Sequence, residues 1–212
     1  MLVWQLLENG AMRAQEWPHI VRALRNLHGL TPEQFAIMMA TTEEAVLRWE
    51  AGLSVPEPRE QAVLRDALCG HYKHHPTFRG LQAMVRNMGE KCTLYTPGMI
   101  VQTISPSLEQ WLKTHRVDLV GSSVLPRMDG LTLEMMERYA LPMLDGKSDA
   151  LSLTYIDRAI ANRRAVLHRR MSAVPLDGVR VLVLIDQVLY EDDGTSVPNL
   201  DLNVVTADDI QS

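Results

Sequence analysis

Apolar residues recur every three or four positions through residues 18–69, in a segment rich in helix-forming residues. That spacing is typical of amphipathic helices, which bury one face and expose the other. The composition shifts over residues 71–76, where three histidines and a proline indicate a linker. A helix is predicted after it, over residues 78–88. The pattern therefore predicts a short apolar lead segment (residues 1–17), a helical domain (residues 18–69), and a linker with one helix (residues 70–89).

Short apolar runs alternate with turn signals in the remainder of the chain, residues 90–209. One such turn is Asp177-Gly178, and the run that follows it, over residues 179–190, predicts the clearest strand. A second strand is predicted over residues 197–205. Because the segment between them, residues 191–194, is acidic and ends in glycine, the sequence predicts an antiparallel hairpin with a long loop.

Two further helices are predicted in this second part of the chain. The first covers residues 131–144 and is expected to end before Pro142, because the residue that precedes a proline avoids the helical conformation. The second covers residues 153–164. The chain is therefore expected to have an α+β fold, in which an all-α N-terminal domain is followed by an antiparallel sheet with flanking helices.

A pair of short helices joined by a tight turn is predicted within residues 31–52. Thr31 and Thr42 are suitable N-caps, Pro32 suits the first helical position, and Gly52 suits the end of the second helix. The apolar residues expected to hold the two helices together are Phe35, Ala36, Met39, Ala45, Val46 and Trp49. A small residue at the helix crossing permits close packing, so the pattern predicts a helix-turn-helix.

This segment resembles the Cro/repressor (XRE-like) helix-turn-helix family over residues 18–68. The matching pieces are Ile-Val-Arg-Ala-Leu-Arg at 20–25, Gly-Leu-Thr at 29–31, Ala36, Arg-Trp-Glu-Ala-Gly at 48–52, and Pro56. The resemblance implies an ion pair between Arg25 and Glu50 that locks the module. It also implies a homodimer that binds double-stranded DNA at two half-sites about 34 Å apart. Ala40 departs from the family pattern, which usually has glycine there.

The resemblance places the DNA contacts on the second helix of the motif and around its ends. The candidate DNA-contacting residues are Thr31, Pro32, Thr42, Glu43, Glu44, Leu47, Arg48, Ser54 and Arg59. Arg48 is the strongest candidate for a base or phosphate contact. A phosphate backbone would repel Glu43 and Glu44, although glutamate can accept a hydrogen bond from cytosine. Stabilisation of the helix N-terminus is an equally good explanation of these two glutamates.

Residues 90–209 resemble a PAS-type sensor domain, through the order of several short pieces. These are a strand–turn–strand over residues 92–104, a helix over residues 107–112, Leu-Val-Gly-Ser-Ser at 119–123, and a helix and strand over residues 157–170 before the Asp-Gly turn. The resemblance implies a small antiparallel sheet flanked by helices, dimerisation, and a small-molecule effector held between sheet and helices.

Charge is distributed unevenly along the 212 residues, whose formal net charge is −5. Residues 1–89 carry nine basic and nine acidic side chains, whereas residues 90–212 carry 12 and 17. A general polyanion binder would be strongly basic, so this charge excludes that class. It fits a DNA-contacting module joined to a module that does not touch DNA.

Other chemistry is weakly indicated. The spacing of Cys69 and Cys92 matches neither a zinc site nor a secreted disulfide framework, so both are expected to be reduced thiols. No apolar run approaches the roughly 18 residues that span a bilayer, and the first residues do not form a secretion signal, so a cytoplasmic protein without membrane contact is expected. No phosphate-binding glycine loop, nucleophile elbow or metal-ligand spacing is present, so no enzyme activity is expected.

No cofactor is expected, because each candidate residue has a simpler explanation. The candidates are His115 and His168 as haem ligands, His71, His74 and His75 as metal ligands, and the pairs Arg163-Arg164 and Arg169-Arg170 as effector-binding groups. Ordinary histidines, a solvated linker and a solvated face explain them at least as well. The twelve methionines suit an adaptable pocket, although core packing is the simpler role.

Three functions fit these observations. The first is a dimeric, sequence-specific transcription regulator whose second domain senses a small molecule or mediates dimerisation. The alternative is a protein-interaction adaptor that kept the helix-turn-helix fold but lost DNA affinity, as Glu43 and Glu44 would allow. The third is an antitoxin, which the long second part of the chain disfavours.

Overall fold

The structure is a computed structural model that describes residues 17–73, 75–128, 130–176, 179–194 and 201–211. It has the predicted α+β composition, with helices at the N-terminal end followed by a six-stranded antiparallel sheet and its flanking helices. The predicted lead segment, except Trp17, lies outside the described residues, and so does the Asp177-Gly178 turn. No helix in the described part of the chain is both long and apolar enough to cross a membrane.

Among the described residues, four helices form the N-terminal part of the protein, which we call the helical unit. They are α1 (Trp17–Leu27), α2 (Pro32–Met39), α3 (Glu43–Glu50) and α4 (Pro58–Lys73). Residues at three-to-four spacing face inward, as predicted, and pack as one cluster. Its buried members are Trp17, Ile20, Val21, Leu24, Phe35, Ala36, Met39, Val46, Trp49, Leu64 and Ile100. Trp49 is thus a core residue, as the apolar spacing predicts.

The predicted linker over residues 71–76 is wrong. Helix α4 continues through it to Lys73, and α5 (Pro76–Arg86) begins almost at once, with the His75 ring accepting from the Phe78 amide as an N-cap. Tyr72 is buried, with its ring centroid 5.0 Å from that of Phe78. Burial of this aromatic ring outweighs the modest helix propensity of the histidines around it.

The sheet contains strands β1 (Lys91–Thr96), β2 (Ile100–Ile104), β3 (Ala150–Arg158), β4 (Ala165–Leu176), β5 (Val179–Glu191) and β6 (Asn203–Thr206), in the order β2-β1-β5-β4-β3-β6. Between β2 and β3 lie α6 (Pro106–Thr114), a 3₁₀ turn (Leu125–Arg127), α7 (Gly130–Met135), a π-helical turn (Met136–Ala140) and α8 (Leu141–Leu144), and α9 (Ala207–Gln211) follows β6. The predicted strand–turn–strand and the helix after it are confirmed as β1, β2 and α6.

The predicted hairpin between β5 and the last strand is wrong. β5 pairs with β4 along its length and with β1 over residues 182–186, whereas β6 pairs with β3 at the edge of the sheet. The turn signal at residues 191–194 is a local feature, whereas the pairing of β6 with β3 joins residues far apart in the chain, which local composition does not encode.

The helix predicted over residues 153–164 is also wrong. Residues 150–158 form β3, in which the alternate residues Leu153, Tyr155 and Asp157 are buried. This period of two is the pattern of a strand, and the intervening Thr154 and Ile156 are good strand formers. β3 lies between β4 and β6 in the sheet, so pairing on both sides stabilises the extended conformation.

The helix over residues 131–144 does not stop before Pro142, contrary to expectation. It continues to Leu144 through a π-helical turn over Met136–Ala140. A proline within a regular helix lacks one hydrogen-bond donor, and its ring clashes with the carbonyl of the preceding turn. The wider π turn immediately before Pro142 changes that hydrogen-bond pattern, which lets the helical direction continue.

Both faces of the sheet are covered. On one face, α6, α7 and α8 enclose the largest apolar cluster, which includes Tyr95, Leu153, Met171 and Leu184. On the other face, α5 and the end of α4 cover Cys92, Leu94, Leu176, Val181 and Val183 through Tyr72, Phe78 and Val85. Ile100 of β2 is buried in the cluster of the helical unit, so that unit packs against the sheet as well.

Candidate nucleic-acid interface

Side-chain caps begin both helices of the predicted motif. The Thr31 hydroxyl accepts a hydrogen bond from the Gln34 amide at 3.2 Å, and the Gln34 side chain accepts from the Thr31 amide at 2.9 Å. At α3 the Thr42 hydroxyl accepts from the Ala45 amide at 3.2 Å. These bonds satisfy amides that a helix leaves unpaired at its start, so they fix where α2 and α3 begin.

The turn between the two helices depends on a left-handed residue. Ala40 has a φ of 52°, and the Thr41 amide donates to the Ala36 carbonyl at 2.9 Å, which closes the end of α2. An L-residue in this conformation is strained, and glycine is the usual residue there. Ala40 is the position at which the sequence departs from the glycine of the resembled family.

An ion pair joins the start of the motif to its end. The Arg25 guanidinium donates from Nε to Glu50 Oε1 at 2.6 Å and from Nη2 to Glu50 Oε2 at 3.2 Å. Its Nη1 donates to the Leu30 carbonyl at 3.0 Å. This two-pronged geometry ties α1 to the C-terminal end of α3 and to the loop before α2. The structure thus contains the ion pair that the resemblance implied.

The exposed face of α3 carries four of the candidate DNA-contacting residues: Glu43, Glu44, Leu47 and Arg48. Thr31, Thr42 and Arg59 are also exposed, whereas Pro32 and Ser54 are partly buried. The α3 face therefore presents two carboxylates, one guanidinium and one apolar side chain that is 48% exposed. The three charged side chains, Glu43, Glu44 and Arg48, are exposed and are not members of the helical cluster.

The helical unit rests on the turn between β1 and β2. Gly98 has a φ of +79°, and a Cβ added there would lie 3.1 Å from the Ala23 methyl group and 3.2 Å from the His19 carbonyl. Asn26 donates to Asp145 at 3.4 Å, and Ile100 of β2 is buried in the helical cluster. α1 thus contacts the sheet unit at several positions along its length.

A titratable side chain lies at this contact. Burial lowers the pKa of His19, the charge of Arg22 lowers it further, and the charge of Glu137 opposes the shift. Glu137 belongs to the π-helical turn of the sheet unit, so His19 experiences the charges of both units. Protonation of His19 is therefore coupled to the contact between them.

A buried polar row crosses the sheet, and the sequence did not reveal it. Tyr155, Arg169 and Asp186 lie directly opposite one another on β3, β4 and β5. Arg169 Nε is 3.8 Å from Asp186 Oδ1, and burial raises the pKa of Asp186 although Arg169 opposes the shift. The solvated face predicted for Arg169-Arg170 is thus wrong for Arg169, which is buried, while Arg170 is exposed.

Two other side chains considered from the sequence, His115 and Arg164, have local partners. The His115 ring lies 2.7 Å from the Trp111 carbonyl, and Arg164 Nε donates to the Asp192 carbonyl at 2.9 Å. Cys92 is a free, buried cysteine, and burial raises the pKa of its thiol to about 11, which suits an unreactive reduced thiol. Among the described residues, no three His, Cys, Asp or Glu side chains converge as a metal site requires.

Comparison with protein-family models and with curated proteins found no match. Among solved structures, the chain is similar to a PAS domain from a two-component sensor histidine kinase, with a TM-score of 0.37 and 10% identity over 53% of this chain and 96% of that chain. A likeness of this size establishes neither a shared family nor a shared function.

Proposed function

We propose that the protein is a dimeric, sequence-specific DNA-binding transcription regulator. In this proposal α2 and α3 form a helix-turn-helix of the Cro/repressor type, and α3 enters the major groove. The sheet unit, a PAS-like domain in this proposal, senses a small molecule or mediates dimerisation. The observation that carries the proposal is the pair of capped short helices held together by the Arg25–Glu50 ion pair, with the polar face of α3 left exposed.

The packing explains why α3 is the element that would contact DNA. Val46 and Trp49 point into the helical cluster, so Glu44, Leu47 and Arg48 occupy the opposite side of a short helix. An exposed helix supported from behind by a rigid core is the arrangement with which helix-turn-helix proteins read base edges. The sheet unit contacts α1, and within the described residues the outer face of α3 stays exposed.

The test is selection of genomic DNA fragments by the purified protein at two salt concentrations. We expect enrichment of a palindromic site, with binding that weakens as salt rises, because phosphate contacts release counterions. Arg48→Ala should weaken binding to that site about 5- to 150-fold, as loss of a base contact costs about 1–3 kcal/mol. Arg79→Ala, which removes an exposed arginine from α5, is the matched control and should retain full affinity.

The adaptor remains the alternative, and the exposed apolar side chains of the helical unit favour it. Ile37 is 75% exposed, Leu53 is 73% exposed, and Leu47 lies beside the two glutamates of α3. Such residues suit a protein partner better than a phosphate backbone. A folded protein that enriches no DNA at either salt concentration would reject the regulator and support the adaptor.

A further inference from the structure

A groove of about 540 Å³ opens at the edge of the sheet where β2 ends. Its lining comes from the end of β2, from α6, from the loop over residues 117–120 and from Arg86 at the end of α5. Ile104, Leu112 and Leu119 line it with apolar surface, and the last two of these are at least nine-tenths buried. The volume is within the range of pockets that hold small molecules, about 300–1,000 Å³.

Charged groups lie around this apolar floor. Lys113 and Glu109 pair with each other at 2.6 Å, so they largely cancel. Arg86 and Asp118 are exposed and belong to the lining. Within the described residues Arg86 makes no hydrogen bond or ion pair, so its planar guanidinium is available to a ligand.

We propose that this groove binds an amphipathic monocarboxylate, with its apolar body against Ile104, Leu112 and Leu119 and its carboxylate paired with Arg86. A guanidinium matches a carboxylate with two parallel hydrogen bonds, which an ammonium group does not. Because Lys113 offsets Glu109, Asp118 is the remaining negative charge of the lining, and it disfavours ligands with several negative charges. The site rests on the proposed function, because it names the class of effector that the sheet unit senses.

The position of the groove suits that role. Arg86 terminates α5, which follows directly after α4 of the helical unit, whereas Leu112 and Leu119 belong to the sheet unit. A carboxylate held by Arg86 would therefore connect an element continuous with the helical unit to the core of the sheet unit. Burial of the ligand's apolar tail in the groove removes apolar surface from water and supplies the attraction. The ion pair with Arg86 orients the ligand.

The test is calorimetric titration of the full chain with octanoate, octan-1-ol and octylamine, three probes that share one tail and differ in head group. We expect saturable binding of octanoate, weaker binding of octanol and the weakest binding of octylamine. Arg86→Gln should weaken octanoate binding at least tenfold and leave octanol binding within twofold. Arg79→Gln, on the same helix and outside the groove, should not change either, and Val120→Trp should fill the groove and abolish both.

Three results would overturn the proposal: no saturable octanoate binding by a folded protein, equal binding to the Arg86→Gln variant, or octylamine binding as tight as octanoate. DNA retention measured with and without octanoate separates the two proposals. Octanoate binding that depends on Arg86 without any DNA retention supports the groove and rejects the regulator. DNA retention without octanoate binding does the reverse.

Discussion

The Arg25–Glu50 ion pair permits a quantitative test of what holds the helical unit together. Removal of one partner from a fully buried pair costs about 3–5 kcal/mol, whereas an exposed pair contributes about 0–1 kcal/mol. The Arg25 and Glu50 side chains are 18% and 11% exposed, close to the buried limit. Arg25 also donates to the Leu30 carbonyl. We therefore expect Arg25→Ala to lower the free energy of unfolding by about 2–3 kcal/mol.

The assay is urea unfolding followed by far-ultraviolet circular dichroism, which reports loss of helix, and by tryptophan fluorescence, to which the buried Trp17 and Trp49 contribute. The denaturant slope should stay constant if the variant changes stability alone. A double-mutant cycle with Glu50→Ala isolates the interaction, and we expect a coupling free energy of at least about 1 kcal/mol. Lys113→Ala is the matched control.

Lys113→Ala removes an ion pair whose N···O distance equals that of Arg25–Glu50 but which is exposed to solvent. Lys113 and Glu109 are 2.6 Å apart, but their side chains are 73% and 53% exposed, so solvent screens them. We expect Lys113→Ala to change stability by less than about 0.5 kcal/mol. A loss below about 0.5 kcal/mol for Arg25→Ala would refute the reasoning, because the ion pair would then behave as an exposed one.

Three further predictions concern the backbone and the contact between the units. Ala40→Gly should raise the free energy of unfolding by about 0.5–1 kcal/mol, because it relieves the φ of 52°, whereas Ala51→Gly at a right-handed helix end should lower it; urea midpoints test both. Gly98→Val should lower the melting temperature by several degrees, since the new side chain would lie about 3.2 Å from the His19 carbonyl; unchanged melting would contradict the packing. Burial and the charge of Arg22 lower the pKa of His19 in the folded protein. As pH drops through and below 6.5, the unfolded chain therefore binds a proton at this histidine at a higher pH than the folded protein does, and stability should fall. The His19→Gln variant should have a flatter profile of stability against pH in this range.

Local signals in the sequence predicted the helical unit well, because its structure is determined over short distances. Thr31 and Thr42 act as caps, Val46 and Trp49 are buried, and Gly52 has the positive φ of a helix end. Each of these features depends on residues within a turn or two of helix. The same is true of the β1–β2 turn and of α6, whose start is set by the Ser105 cap.

The features that the sequence predicted wrongly depend on pairing between strands that are far apart in the chain. Residues 153–164 contain leucine, isoleucine and alanine at spacings compatible with the period of a helix or that of a strand. Pairing with β4 and β6 determines that residues 150–158 form a strand. The adjacent arginines predicted a solvated face that includes both Arg169 and Arg170. Adjacent side chains of a strand point to opposite faces of the sheet, so Arg170 is exposed whereas Arg169 is buried. Asp186, 17 residues later in the chain, is its partner across the sheet. Neither the partner nor the burial is encoded near Arg169 itself.

Strand β2 joins the two sites proposed for this protein. Ile100, at its first position, is buried in the cluster of the helical unit, whereas Thr103 and Ile104, at its other end, line the groove. The strand has five residues and is held by β1 on one side, with the Val101 amide donating to the Ser122 carbonyl on the other. An irregularity in the pairing with β1 lies between Val101 and Thr103, so the hydrogen-bond ladder is locally disrupted between the end of β2 in the helical cluster and its end in the groove.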